Sequence, residues 1–159
     1  MSRALAIVAT LLLAGCGFQL QGAYTLPEPV MSGTFISTTD RYSPFYRKLT
    51  ADLEAAGVAV LPSALDAPAV LTILFEETGQ RVLSVSARNV PTEYEVYYTV
   101  EYALAAGNQS LVTPRTLSLT RDYRWDENLV LGKAAEEQAL RDAVIADLVR
   151  ILVKQIDSI

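Results

Sequence analysis

EYEVYYTVEYALAAGNQSLVTPRTLSLTRDY, residues 93–123, decides the fold. Tyr94, Val96, Tyr98, Val100, Tyr102 and Leu104 alternate with Glu93, Glu95, Thr99 and Glu101. Side chains of a strand alternate between faces, so this period of two reads as a strand with one face in a core. Gly107-Asn108 then supplies a two-residue hairpin turn, which pairs Ala106 with Gln109 and steps outward from there. In that register even positions of the first strand face odd positions of the second. Leu111, Leu117, Leu119 and Tyr123 have that odd parity, so turn chemistry and hydrophobic pattern agree. The opposite face carries Glu95, Tyr97, Thr99, Glu101, Thr116, Ser118 and Thr120, a polar surface suited to water or to a polar partner wall.

Upstream, Leu71, Ile73, Phe75, Leu83 and Val85 form one apolar face of a further strand over Val70 to Ala87. Glu77, Gly79 and Arg81 interrupt that face and predict a bend beyond the core. Ser43 caps a helix whose first position is Pro44. Phe45, Leu49, Leu53 and Ala56 recur at helical spacing before a stop at Gly57. Short strands are expected at Thr34 to Thr38 and Val58 to Leu61. A long closing helix is expected from Asn128 to Ile156, with Leu140, Val144, Leu148, Ile151 and Leu152 as its stripe. Ile145, Val149 and Ile156 widen that apolar arc. The fold class is therefore α+β: a two-layer sandwich with two helices packed on one face of a mostly antiparallel four-stranded sheet.

Composition narrows the function. The 159 residues carry 13 basic against 18 acidic side chains, which argues against general nucleic-acid binding. There is no histidine, which removes the histidine triads and most zinc sites. The single cysteine removes any internal disulfide or cysteine cluster. No catalytic or metal-ligating set is assigned and no cofactor is called for. Adjacent carboxylates at Glu76-Glu77 and Glu136-Glu137 diverge in a strand or a helix. They are read as solvated surface charge rather than as an acid/base dyad.

The cysteine has a different use. Arg3 precedes the apolar run Ala4 to Leu13, too short to span a bilayer and of the right length for a signal peptide. Leu13-Ala14-Gly15-Cys16 resembles a bacterial lipobox. Residues 1–15 are then a leader, Cys16 carries N-acyl (palmitate-type) and S-diacylglycerol chains, and residues 16–32 form a tether ahead of a domain at 33–159. Three acyl chains anchor far more firmly than one. Gly17 rather than an aspartate after the cysteine favours the outer membrane, by resemblance to sorted lipoproteins.

The basic residues gather by topology. Arg88 lies in the turn Arg88-Asn89-Val90-Pro91, at the end of the sheet to which the second hairpin strand returns. Arg88, Arg124 and Lys133 are thus expected to form a local basic patch suited to phosphate. The alternative is that Arg88 is a turn residue and Lys133 an ordinary solvated helix residue. Trp125 reads as packing at the core or helix start, with a partner-contact anchor as the alternative.

Three stretches carry a family resemblance: Cys16-Gly17-Phe18-Gln19-Leu20, Arg88-Asn89-Val90-Pro91-Thr92-Glu93-Tyr94, and Leu119-Thr120-Arg121-Asp122-Tyr123 continuing through Asp126-Glu127-Asn128 to Leu131–Gln138. Together they resemble the LptE family of lipopolysaccharide-assembly lipoproteins of Gram-negative bacteria. The resemblance implies a non-enzymatic outer-membrane lipoprotein. It would plug the lumen of the LptD β-barrel in a 1:1 complex, help that barrel assemble, and bind lipopolysaccharide through positions matching Arg88 and Lys133. The lipid anchor would sit in the inner leaflet of the outer membrane, with the domain facing the periplasm and the lumen. The alternative is a small-ligand-binding accessory lipoprotein of an envelope transporter.

Overall fold

A computed structural model describes residues 24–125 and 130–159. The leader, Cys16, Gly17 and the expected helix start at Asn128 lie outside them. In chain order the elements are α1 (Glu28–Ser32), β1 (Thr34–Ser37), α2 (Pro44–Ala55), β2 (Val60–Leu61), β3 (Ala69–Val85), β4 (Pro91–Ala106), β5 (Gln109–Arg124) and α3 (Val130–Asp157). They form a five-stranded sheet in the order β2-β1-β3-β4-β5. The expected four strands become five because β2 joins the edge, parallel to β1, through Thr34↔Val60 and Phe35↔Leu61. β1 is also parallel to β3, while β3-β4 and β4-β5 are antiparallel.

The Gly107-Asn108 turn forms as expected, with Ala106 opposite Gln109. Two register shifts follow, one on either side of Leu104. Each moves the pairing by one residue, so together they restore parity, and Tyr98 faces Leu119 on the core side. β3 behaves differently. The first of its three shifts, between Ile73 and Phe75, leaves Leu71 and Ile73 buried but turns Phe75 outward, 47% exposed, and the other two, around Ser84, offset only each other. The expected odd-numbered apolar face, interrupted at Glu77, Gly79 and Arg81, is therefore buried only as far as Ile73. The strand does not bend away at Glu77, Gly79 and Arg81: it stays paired with β4 as far as Val85. At Gly79 the Tyr97 ring lies across the strand, so a Cβ there would stand 2.6 Å from the phenol oxygen and the ring would have to move.

α2 begins as its sequence predicts. Ser43 Oγ accepts the Tyr46 N–H at 3.0 Å, Pro44 occupies the first turn, and Gly57 takes φ +89° after the end. Phe45, Leu49 and Leu53 face inward. α3 closes the layer in two unlike halves. Val144, Ile145, Leu148, Val149, Leu152, Val153 and Ile156 are buried, whereas no residue from Gly132 to Ala143 is. The expected widening of the apolar arc at Ile145, Val149 and Ile156 is present because α3 packs against both α2 and the sheet. Part of the expected tether is core instead: Leu26 is 4% and Val30 1% exposed, with Val30 carried inward by α1.

Candidate basic cleft

The turn between β3 and β4 is built by its own hydrogen bonds. Ser86 N–H donates to Val90 O at 2.8 Å, Asn89 N–H to Ser86 O at 2.9 Å, and Val90 N–H to Ser86 Oγ at 3.3 Å. Asn89 takes the left-handed conformation at φ 61°, which asparagine tolerates better than most residues. Arg88 rides on this turn, exposed. β5 ends beside it, since Glu93 pairs with Arg124 across β4 and β5. The first turn of α3 brings Lys133 over the same end of the sheet. Leu83, Glu93, Asp122, Tyr123, Arg124, Lys133 and Glu136 line a cleft of about 450 Å³.

The expected cluster is thus assembled in part. Arg124 and Lys133 share the cleft, and Arg88 occupies the neighbouring turn without lining it. Three carboxylates share the lining, which makes the cleft mixed in charge rather than purely basic. Arg124 Nε lies 3.4 Å from Glu93 Oε1 with its side chain 87% exposed, a loose surface pair. Lys133 Nζ donates to Glu136 Oε2 at 2.6 Å, and its side chain is only 16% exposed. An arriving phosphate can recruit Arg124 with little loss, whereas Lys133 must exchange Glu136 for it. The acidic neighbours were missed in the sequence although Glu93 is the cross-strand partner that the hairpin register implies for this end of β5.

Beneath the cleft is an aromatic floor. Tyr94 stacks on Tyr123 with centroids 5.7 Å apart and meets the edge of Trp125 at the same distance. Trp125 packs against the core and donates its backbone N–H to Thr92 O at 2.9 Å, which agrees with the packing reading. Tyr123 fastens the weakly buried half of α3 to the sheet. Its hydroxyl receives Gln80 Nε2 at 2.5 Å and donates to Glu137 Oε2 at 3.0 Å. Glu137 in turn accepts from Arg141 at 2.6 Å, and Arg141 reaches Thr78 Oγ1 at 3.3 Å. Neither Glu76-Glu77 nor Glu136-Glu137 is merely solvated. Glu76 and Glu77 do diverge to opposite faces, Glu76 accepting from Tyr98 and Ser43 and Glu77 from Tyr97 at 3.0 Å.

Burial, and then the hydrogen bond to Glu137, push the Tyr123 phenol up to about 12. Burial also raises Tyr98, aided by its bond to Glu76. A tyrosine ordinarily ionises near ~10. The folded protein resists that ionisation, so the contribution is fully present below pH ~10 and is lost as pH rises towards ~12. The urea midpoint is expected to hold up to pH ~10 and then fall. Tyr123→Phe should flatten part of that fall, followed by tyrosinate absorbance, and an unchanged slope would remove Tyr123 from the account.

Comparisons with known proteins agree with this architecture. The profile of the LptE family, described as lipopolysaccharide-assembly, matches residues 33–156. The LPS-assembly lipoprotein LptE of Yersinia enterocolitica is 27% identical over 152 residues, covering 94% of this chain and 72% of that protein. Among solved structures, lipoprotein B from Nitrosomonas europaea superposes with TM-score 0.74 at 25% identity, covering 89% of this chain and 91% of that one. Rare lipoprotein B from Shewanella oneidensis gives TM-score 0.69 at 24% identity, covering 80% and 95%.

Proposed function

The chain belongs to the LptE lipopolysaccharide-assembly family, and from that premise we propose that it is a non-enzymatic outer-membrane lipoprotein that plugs the LptD barrel and contacts lipopolysaccharide through Arg88, Arg124 and Lys133. The observation that carries the ligand reading is the cleft itself, where Arg124 and Lys133 meet beside the Arg88 turn on an otherwise acidic protein. Charge-assisted hydrogen bonds from guanidinium and ammonium suit the phosphates of lipid A. Leu83 and the aromatic floor offer apolar surface beside them. The polar outer face of the sheet supports the plug reading, because a water-lined lumen accepts Glu, Thr and Tyr without desolvating them fully. Acylation of Cys16 would hold the domain at the membrane, and no described helix is long and apolar enough to cross one.

One pull-down tests both parts. Tagged protein recovered from detergent-solubilised outer membranes should carry one large β-barrel in roughly equal amount, together with lipopolysaccharide. The pair Arg88→Glu with Lys133→Glu should recover the same barrel but about a hundredfold less lipopolysaccharide or lower still, since each of the two lost charged contacts is worth about 1.5–3 kcal/mol. The deficit should narrow as salt is raised. Equal lipopolysaccharide with both forms would overturn the site, and recovery of inner-membrane transporter subunits without a barrel would favour the accessory-lipoprotein reading.

A further inference from the structure

The inward stripe of α3 changes chemistry partway along the helix. From Val144 to Ile156 its buried residues are all apolar, Leu148 and Leu152 at their centre, and Arg121 ties that half to β5 through Asp147 at 2.6 Å. Between Gly132 and Ala143 the residues turned towards the protein are Lys133, Glu137, Leu140 and Arg141, half-buried at the i, i+4, i+7, i+8 spacing of one helix face. Only Leu140 among them is apolar. A helix half that turns charges inward gains little from burial, and a free helix shorter than ~12–15 residues is marginal in water. Its ties to the sheet are polar: the Tyr123 hydroxyl donates to Glu137 at 3.0 Å, and Arg141 donates to Thr78 Oγ1 at 3.3 Å. The Glu137 and Arg141 side chains stay 23% and 24% exposed, so water competes for both bonds.

We propose that the half of α3 before Val144 is a lid, which opens as a unit while the other half stays docked, and that a phosphate monoester bound in the basic cleft clamps it shut. Few buried apolar contacts and partly exposed polar ties are the conditions for local opening. The cleft has one wall on each side of that motion. Leu83, Glu93 and Arg124 stand on the sheet, whereas Lys133 and Glu136 stand on α3. Opening therefore carries Lys133 away from Arg124. A phosphate monoester that accepts from both bridges lid and sheet, Arg124 supplying the forked guanidinium and Lys133 the ammonium. Because such a ligand binds only the closed arrangement, it makes opening rarer by the factor 1 + [L]/Kd. The lid follows from the packing of α3 alone, whereas the clamp rests on the phosphate reading of the cleft.

Amide hydrogen exchange of the full-length chain in a non-ionic detergent tests both parts. Without ligand, the amides of Glu136 to Ala143 should share one protection factor, about a hundredfold lower than that of Leu148 to Val153. Arg141→Met should lower the first group about tenfold further and leave the second unchanged. Equal protection of the two groups in the native chain would overturn the lid, and so would a smooth gradient from the helix start, which is ordinary fraying. Inorganic phosphate and lipid A, each added at about ten times its dissociation constant, separate a free anion from a lipid headgroup. Whichever occupies the cleft should slow the first group about tenfold and spare the second. Lipid A stripped of its phosphates should do nothing. Slowing by neither ligand would overturn the clamp. If lipid A is nevertheless retained by the chain, the clamp falls while the lipopolysaccharide reading stands. Slowing by inorganic phosphate, with lipid A not retained, would uphold the clamp and sink that reading instead.

Discussion

Leu148→Ala is expected to lower the unfolding free energy by about 3 kcal/mol, within the usual ~2–5 kcal/mol for a buried leucine. Leu148 is 0% exposed, in the middle of the α3 half that carries every buried residue of that helix among the described ones. α3 packs at once on α2, β4 and β5, so the cavity would open where the two layers and the second helix meet. The surrounding core, in which Leu152 and Leu53 are themselves fully buried, has little freedom to collapse into it. Leu140→Ala provides the internal comparison: it lies in the stretch Gly132 to Ala143, of which no residue is buried, and should cost about 1 kcal/mol. Urea titrations of both variants decide the matter. Equal midpoints would mean that α3 is held as firmly by the Tyr123–Glu137–Arg141 contacts as by its apolar half.

That contrast also separates what local sequence carries from what it does not. The cap at Ser43, the proline at Pro44 and the glycine stop at Gly57 are all decided within one turn of chain, and α2 appears where they put it. The β4-β5 hairpin was legible because its two register shifts cancel in parity. β3 was not, because its shift after Ile73 is never cancelled, the two later shifts around Ser84 offsetting only each other. Leu74 and Phe75 are both apolar, so the pattern looks continuous while the backbone has already changed face. The site follows the same logic. Counting strand directions from the turns is enough to bring Arg124 and Lys133 together. The balance of charge there depends on which carboxylates the packing aligns, and Glu136 reaches the cleft only because α3 starts above it. The tether was misread from its prolines: Pro29 falls in the first turn of α1, where a missing N–H costs nothing, and α1 then buries Val30.

Glu76 shows how a residue dismissed as surface charge can tie elements together, and its removal carries the second large effect. One oxygen of its carboxylate accepts from the Tyr98 hydroxyl, while the other accepts from Ser43 Oγ at 3.2 Å. Tyr98 is 2% exposed and packs 6.0 Å from Phe45 on α2, and Ser43 is the cap of that helix. Glu76 therefore joins the middle of β3 to the start of α2 and to β4 at a single point. Glu76→Leu leaves two buried hydroxyls without their acceptor and is expected to cost about 2–3 kcal/mol. Ser43 would keep its bond from Tyr46 N–H, so the helix should still begin at Pro44 and far-ultraviolet dichroism should be unchanged. Tyr98→Phe in the Glu76→Leu background should recover about 1 kcal/mol, because no phenol is then left unpaired. A cycle closing with zero coupling would show that Tyr98 finds another acceptor, and the junction between α2 and the sheet would then rest on the Phe45–Tyr98 contact alone.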